Sequence, residues 1–328
     1  MDGIWKTLWD ALCDPLRYPV DVEERIFIGY LGTSLILAVG VYAYLRHHRP
    51  DAVPRSPLAF LFPKKVFLHK SSIADYQFFL IDRIVFALMA PIALVFTGPI
   101  IDLTRMTLVR VLGPMSNPWD GGASWVMGLS MVSQILLTDF LLFYMHYIFH
   151  KVPVLWEFHK VHHSAEVMTP ITAYRMHPVE VVFNMNVTAL FTGVLLGLFV
   201  YLTDGGRPGF TILGVNAIQF AFYVVGFNLR HSHVPLGYGS ILSQVFVSPW
   251  MHQVHHSRET RHLDRNMGFI FSFWDRVFGT LYVPKRDEPD YELGLTTGEH
   301  VHFHSIAALY FRPFANLARR WLKPAKTA

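Results

Sequence analysis

The sequence predicts an all-α fold: an integral membrane helical bundle of about four to five transmembrane helices, with a histidine-rich helical cap on its cytoplasmic side. Three observations point there. The chain is 52% hydrophobic and only 16% charged, against about 25% charged residues in soluble domains. Its mean hydropathy is +0.32, and long uncharged runs follow one another along it. Three histidine clusters recur at helical spacing.

The elements follow in order. Before residue 26 the chain holds Asp2, Asp10, Asp14, Asp21, Glu23 and Glu24 against Lys6, Arg17 and Arg25. No apolar signal core precedes residue 26, so no cleavable signal is expected, and the run 26–45 is expected to act as both signal and anchor. A run of about 20 residues, at about 1.5 Å per residue, crosses a hydrocarbon core about 30 Å thick. The following loop holds Arg46, Arg49, Arg55, Lys64, Lys65, Lys70 and Arg83. That contrast puts the N-terminus outside and the loop 46–83 in the cytoplasm. Run 84–101 is expected to go out and 125–150 to return, bringing His146 and His150 to its cytoplasmic end. Run 181–203 goes out again, Asp204-Gly205-Gly206-Arg207-Pro208-Gly209 signals a tight turn, and 208–229 returns to deliver Arg230, His231 and His233. Five spans bring every cluster out on one face. The remainder is expected in the cytoplasm, with 305–322 as an amphipathic helix. The organisation read from this is an anchor and basic loop (1–70), a catalytic region (71–285) and a cytoplasmic tail (286–328).

Net charge is +4 and the isoelectric point near 9.1. The Lys and Arg residues sit in loops beside the spans, and no basic stripe interleaved with aromatics exists, so nucleic acid is not an expected partner. Cys13 is the single cysteine, which excludes an internal disulfide and any zinc site built on several thiolates.

Chemistry is concentrated in the histidines. His159-Lys160-Val161-His162-His163 and His252-Gln253-Val254-His255-His256 both read H-x-x-H-H, and His146 to His150 reads H-x-x-x-H. With 18 histidines in 328 residues, chance would supply roughly 0.05 copies of one H-x-x-H-H. Neutral imidazole is the commonest side-chain metal ligand, and these eight exceed what one ion needs, so a cluster of two ions is expected. On a helix the adjacent pair of each motif diverges by about 100°, so one histidine can reach one ion while its neighbour reaches the other. Ser248-Pro249 suits an N-cap followed by the first helical position. Asp139 lies seven residues before His146 inside an apolar run. An ionisable residue there is costly, and it is expected to orient a histidine ligand from behind or to bind metal itself. Imidazole without thiolate suits iron, zinc, copper or nickel. No H-E-x-x-H is present, and Glu-x-x-His occurs only at Glu259–His262 and Glu299–His302, outside any apolar bundle helix. His300, His302 and His304 alternate as on a strand. His47, His48, His69 and His262 read as loop or span-end residues.

These residues resemble the fatty acid hydroxylase / sterol desaturase superfamily of histidine-rich di-iron membrane enzymes. The matching stretches run from Asp139 through His146 and His150 to Trp156-Glu157-Phe158-His159 and Ser164. They continue with Tyr174-Arg175-Met176-His177-Pro178, Asn228-Leu229-Arg230-His231-Ser232-His233, Ser248 to Ser257, and Trp274-Asp275-Arg276-Val277-Phe278-Gly279-Thr280. The resemblance covers roughly residues 70–285. It implies that His146, His150, His159, His162, His163, His252, His255 and His256 hold two iron ions, with zinc as a possible substitute in purified samples. His177 and His233, or His231 in place of His233, would complete the set. It also implies O2-dependent hydroxylation or desaturation of a C–H bond in a membrane lipid such as a sterol, fatty acyl chain or isoprenoid.

The electrons must come from outside, because one cysteine cannot hold a four-thiolate cluster and no haem or flavin motif is present. A ferredoxin, or cytochrome b5 with its reductase, is the expected donor, and Lys64, Lys65 and Lys70 are candidates for its cytoplasmic dock. Two alternatives stand beside this reading. A non-enzymatic metal-binding protein or transporter would need a polar path through the spans, which hold no charge but Asp139. A zinc hydrolase would need a base, for which Glu157, Glu166 and Glu180 are available.

Overall fold

Among the described residues, three helices are long and apolar enough to cross a membrane: Ile28–His48, Ser124–Lys151 and Pro178–Leu202. In the computed structural model, which describes residues 4–93, 95–206, 211–213, 215–285, 288 and 291–322, these are α2, α7 and α9. Among the described residues the α-helices begin with α1 (Ile4–Cys13), α2, α3 (Pro57–Leu61), α4 (Lys64–Phe67), α5 (Lys70–Ala93), α6 (Thr97–Leu112), α7, α8 (Pro153–His163) and α9. They end with α10 (Ala217–Val224), α11 (Gly239–Leu242), α12 (Pro249–His255), α13 (Phe273–Phe278) and α14 (Ile306–Leu322). Among the described residues, the strand pairing consists of a short antiparallel hairpin, Thr211–Ile212 against Val215–Asn216, and two isolated bridges.

Each long helix buries one stripe and leaves the other apolar. α2 buries Tyr30, Ser34, Ala38 and Tyr42, four residues apart, while Leu35, Ile36 and Val39 are exposed. The outer faces of α7 and α9 likewise expose Leu129, Val132 and Leu136, and Leu190, Phe191 and Val194. Exposed apolar belts of this extent mark a surface that meets lipid rather than water.

α7 has 28 residues, about 42 Å of helix, so a core about 30 Å thick leaves its last turns free to project. Val152, held extended ahead of Pro153, ends α7 and starts α8 at once. The corner sets the histidines of α7 beside those of α8.

α6 runs parallel to α9 through small residues. A Cβ on Gly197 would stand 2.5 Å from Thr104 Cβ and 2.8 Å from the Ile101 carbonyl oxygen, and one on Gly193 2.7 Å from Ile100 Cβ. This is the close approach that a G-x-x-x-G stripe allows between apolar helices. At the far end the Tyr201 hydroxyl donates to the Gly113 carbonyl (3.0 Å), and Trp119 N–H donates to the Leu202 carbonyl (2.7 Å).

Two expected spans take other forms. Run 84–101 is divided between α5 and α6, with Phe96 extended between them. In run 208–229 the described part is the hairpin, the eight-residue α10 and a 3-10 turn at Phe227–Leu229. Residues 207–210, and with them the second half of the expected turn 204–209, lie outside the described residues. The causes are local. The Asn216 side chain accepts from Ile218 N–H and starts α10, and Gly226 at φ 104° follows its end. The segment is apolar because it is core: Phe222, Tyr223 and Phe227 bury against Tyr30, Ile135 and Ile270. Uncharged length cannot separate a span from a segment buried among its neighbours.

α14 is the amphipathic tail helix. It buries Leu309 in a cluster with Phe78, Val161, Leu295 and Phe303 and exposes Phe311, Trp321 and Leu322.

Candidate metal centre

Nine histidines converge in two groups. His146, His150, His159, His163 and His255 form one; His162, His231, His252 and His256 form the other. In each group one nitrogen per residue lies within 4.8 Å of all the others. The two H-x-x-H-H motifs are shared crosswise. α8 gives His159 and His163 to the first group and His162 to the second, while the second motif gives His252 and His256 to the second group and His255 to the first. That division is the angular divergence of adjacent helical residues made concrete. The groups share a wall, since the rings of His163 and His256 stack with centroids 4.6 Å apart.

The inward nitrogens lie within contact of one another. Nε2 of His150 and of His159 each lie 3.2 Å from His163 Nε2. In the other group Nε2–Nε2 distances are 3.3 Å for His231–His162, 3.0 Å for His252–His231 and 3.2 Å for His256–His252. Nitrogens about 2.1 Å from a shared ion stand about 3.0–3.4 Å apart in right-angle to tetrahedral geometry. His146 Nε2 and His255 Nε2 are buried with no hydrogen-bond partner. The donor set therefore fits first-row metal ions, and all of it is imidazole.

The outward nitrogens fix which atom carries the proton. Nδ1 lies 2.8 Å from the Met267 carbonyl in His146, 3.3 Å from Asp264 Oδ1 in His150 and 2.7 Å from Glu180 Oε1 in His159. In His162 it lies 3.3 Å from the Arg175 carbonyl, and in His255 2.7 Å from the Arg265 carbonyl. Carbonyls and carboxylates accept, so Nδ1 donates and Nε2 keeps its lone pair facing inward. His252 is held the other way round. Its Nδ1 faces Arg230 Nη2 at 3.0 Å, and a guanidinium only donates. Neutral His252 then carries its proton on Nε2, and a cation binding there displaces it. Burial first, and neighbouring positive charge second, hold the imidazolium forms of His162, His163, His231, His252 and His256 well below their ordinary range, with His255 lowered to about 3. Neutral rings are the ligand form.

Much of this orientation comes from one loop. Asp264 and Asn266 both sit at φ 56°, a left-handed conformation that Asp and Asn tolerate, and Asp264 Oδ1, Arg265 O and Met267 O face the histidines in turn. Asp275 holds the loop by accepting from Met267 N–H (2.6 Å), Gly268 N–H (2.9 Å) and the Thr280 hydroxyl (2.6 Å). Asp139 holds it from the other side, accepting from Ile270 N–H (2.6 Å), Phe271 N–H (3.2 Å) and Trp274 Nε1–H (3.0 Å). Asp139 thus makes no histidine contact, contrary to expectation. It braces the loop whose Met267 carbonyl faces His146.

Arg175 ties α8 down. It is fully buried and donates through Nε to the Val161 carbonyl (2.9 Å), through Nη1 to Asp75 Oδ1 (2.7 Å), and through Nη2 to Ser164 Oγ (2.7 Å) and the Phe303 carbonyl (3.0 Å). Arg175, Glu180 and Arg230 were not singled out as histidine partners from the sequence. Their signal was there: Arg175 and Arg230 stand within the histidine motifs, and Glu180 sits in the first turn of an apolar helix.

His177 and His233, expected to complete the set, do not join it. His177 Nδ1 accepts from Val179 N–H (3.1 Å) as the N-cap of α9, and its Nε2 donates to the Tyr310 carbonyl (3.0 Å). His233 Nε2 donates to the Phe60 carbonyl (2.6 Å). His231, the alternative, is in the second group. His300, His302 and His304 do not share a strand face either. Glu299–His302 is a 3-10 turn, His300 packs on the Leu295 backbone, and His304 pairs with Glu166.

Residues 131–280 match the fatty acid hydroxylase family, and the match contains all nine grouped histidines. Together with the relatives it resembles, that match supports the fatty acid hydroxylase / sterol desaturase superfamily. It is 26% identical to the alkylglycerol monooxygenase of Caenorhabditis elegans over 58% of this chain and 34% of that protein. It is 28% identical to an ornithine lipid hydroxylase of Rhizobium tropici (52% and 47% covered) and 31% identical to human cholesterol 25-hydroxylase (45% and 49%). The chain thus spans a third to a half of the length of these curated relatives. No solved structure matches it.

Proposed function

We propose that this chain is a multi-pass membrane oxidoreductase that uses O2 and two irons to oxidise a C–H bond of a membrane lipid, by hydroxylation or desaturation. The observation that carries the reading is the pair of all-imidazole groups sharing a wall, inside a domain whose relatives are named as lipid hydroxylases and monooxygenases. His146, His150, His159, His163 and His255 would hold one ion, and His162, His231, His252 and His256 the other. Iron held this way supplies O2 activation and removal of a hydrogen atom from carbon. In hydroxylation one oxygen atom ends in the alcohol and the other leaves as water, with two electrons and two protons taken up. The electrons come from an external donor, a ferredoxin or cytochrome b5 with its reductase, docking on the cytoplasmic face where the histidine groups lie.

The protein's own part is to keep the rings neutral, fix their tautomers and exclude water. The Met267 and Arg265 carbonyls, Glu180 and Asp264 do the fixing. A zinc hydrolase is disfavoured because its candidate bases are engaged elsewhere. Glu157 pairs with Lys160 (2.9 Å), Glu166 pairs with His304, and Glu180 sits on the outer nitrogen of His159. A transporter is disfavoured because Asp139, the one acid in the apolar stretch of α7, is spent on backbone and indole donors.

The test is turnover of iron-loaded protein with 18O2, an external reductant and lipid extract. One 18O atom per product, or a lipid lighter by two hydrogens, supports the reading. Label appearing only from 18O-water refutes it.

A further inference from the structure

A cavity of about 1230 Å³ lies between the N-terminal segment, α5, α7 and α9. Its two ends differ in chemistry. One end is lined by Glu24, Arg25, Asp82, Arg83 and Tyr174, the other by Phe96, Ala189 and Thr192. The polar end is the histidine end. On α9, Asn184 lies one turn past Glu180, the partner of His159, while Thr192 is twelve residues from Glu180, about 18 Å farther along the helix. On α7 the lining residues Thr138 and Leu142 share a stripe with His146 at four-residue spacing. Arg25 is tied to the same region, since its carbonyl accepts from Asn228 Nδ2 (2.9 Å), three residues before His231.

Two residues of the lining each carry a buried side-chain atom without a hydrogen-bond partner, just behind the cavity wall: Arg83 Nε, a donor, and Asn184 Oδ1, an acceptor. Buried polar atoms rarely stay unpaired, and a small rotation of either side chain would turn its atom toward the cavity. A hydroxyl on a ligand could accept from the first or donate to the second. The lining holds four carboxylates, on Asp10, Asp14, Glu24 and Asp82, against the guanidiniums of Arg17, Arg25 and Arg83. That balance repels a purely anionic head and accepts a neutral or zwitterionic one.

We propose that this cavity holds the lipid substrate head-first. A neutral or zwitterionic head sits between Arg83 and Asn184, the chain runs away from the histidine groups toward Ala189 and Thr192, and the oxidised carbon lies within a few bonds of the head. This rests on the lipid-oxidation reading above. A second cavity of about 1990 Å³ lies behind α2, lined by Gly40, Lys64, Lys65 and Lys285 among others, and serves as the control.

The experiment is binding of 1-hexadecylglycerol, hexadecyl-lysophosphocholine, palmitate and cholesterol to the full chain in mild detergent, with and without iron, by native mass spectrometry. The first two are expected to bind at least about tenfold more tightly than palmitate or cholesterol, with or without iron. Ala189→Phe fills the chain end and Asn184→Leu removes the acceptor. Each should weaken binding about tenfold or more at unchanged iron content and unfolding temperature. Gly40→Phe, whose Cβ would meet nothing within 4 Å, should leave binding unchanged. If Ala189→Phe does not fold, Asn184→Leu decides. Preferred binding of palmitate or cholesterol, or loss of binding in Gly40→Phe alone, overturns the proposal. So does product oxidised at the far end of the chain. Retained head-selective binding with no oxidation by the iron-loaded protein would refute the enzymatic reading and leave the lipid site standing.

Discussion

Replacing Arg175 with Met tests how the histidine groups are held from behind. Both side chains of the Arg175–Asp75 pair, 2.7 Å apart, have no solvent exposure. Arg175→Met strips Asp75 of its countercharge and leaves it buried, with only the Thr172 hydroxyl (2.6 Å) still donating. Breaking a buried pair this way costs about 3–5 kcal/mol, against a total stability of about 5–15 kcal/mol for a typical domain. The loss is local as well as global. Arg175 Nε caps the Val161 carbonyl, between His159 and His162, and the Arg175 carbonyl accepts from His162 Nδ1. Metal affinity should therefore fall about 10–100-fold. The assay is denaturant unfolding in mild detergent together with iron retention against a chelator. Asp75→Leu combined with Arg175→Met removes both charges, and should recover about 2 kcal/mol of the stability lost without recovering the metal affinity. A single variant that loses under about 1 kcal/mol and holds its iron as tightly as the parent would refute the reasoning.

Three further outcomes follow from the same geometry. Asp139→Ala leaves Ile270 and Phe271 N–H groups without their acceptor at about 1–3 kcal/mol each; it should release iron from the five-histidine group before the four-histidine group in a chelator time course. Glu180→Gln swaps the carboxylate on His159 Nδ1 for an amide, and should weaken iron binding about tenfold or more in a competition titration with little change in unfolding temperature. Gly197→Leu drives a side chain into Thr104 and the Ile101 carbonyl, and should cost about 1–3 kcal/mol in unfolding while leaving iron content per folded chain unchanged.

Local patterns were legible in the sequence wherever a short-range rule decides the structure. The placing of His162 and His163 in different groups follows from helical geometry alone, as does the helix start at Ser248-Pro249, where Ser248 Oγ accepts from Met251 N–H (3.3 Å). What depends on distant parts of the chain was not legible. His177 and His233 stand in histidine-bearing stretches of the same kind as His231, and only the fold turns their nitrogens onto the Val179 amide and the Tyr310 and Phe60 carbonyls. The carbonyl rack at 264–268 carries no side-chain signature, because its acceptors are mostly backbone. Run 208–229 read as a span because burial in protein and burial in lipid select the same residues.

The most direct measurement is iron per chain in the purified protein and in His231→Ala and His233→Ala, prepared side by side. The account predicts about two irons in the parent, about one after His231→Ala, because only the four-histidine group loses a ligand, and about two after His233→Ala. One iron or fewer in the parent, or a loss in His233→Ala but not in His231→Ala, would contradict it.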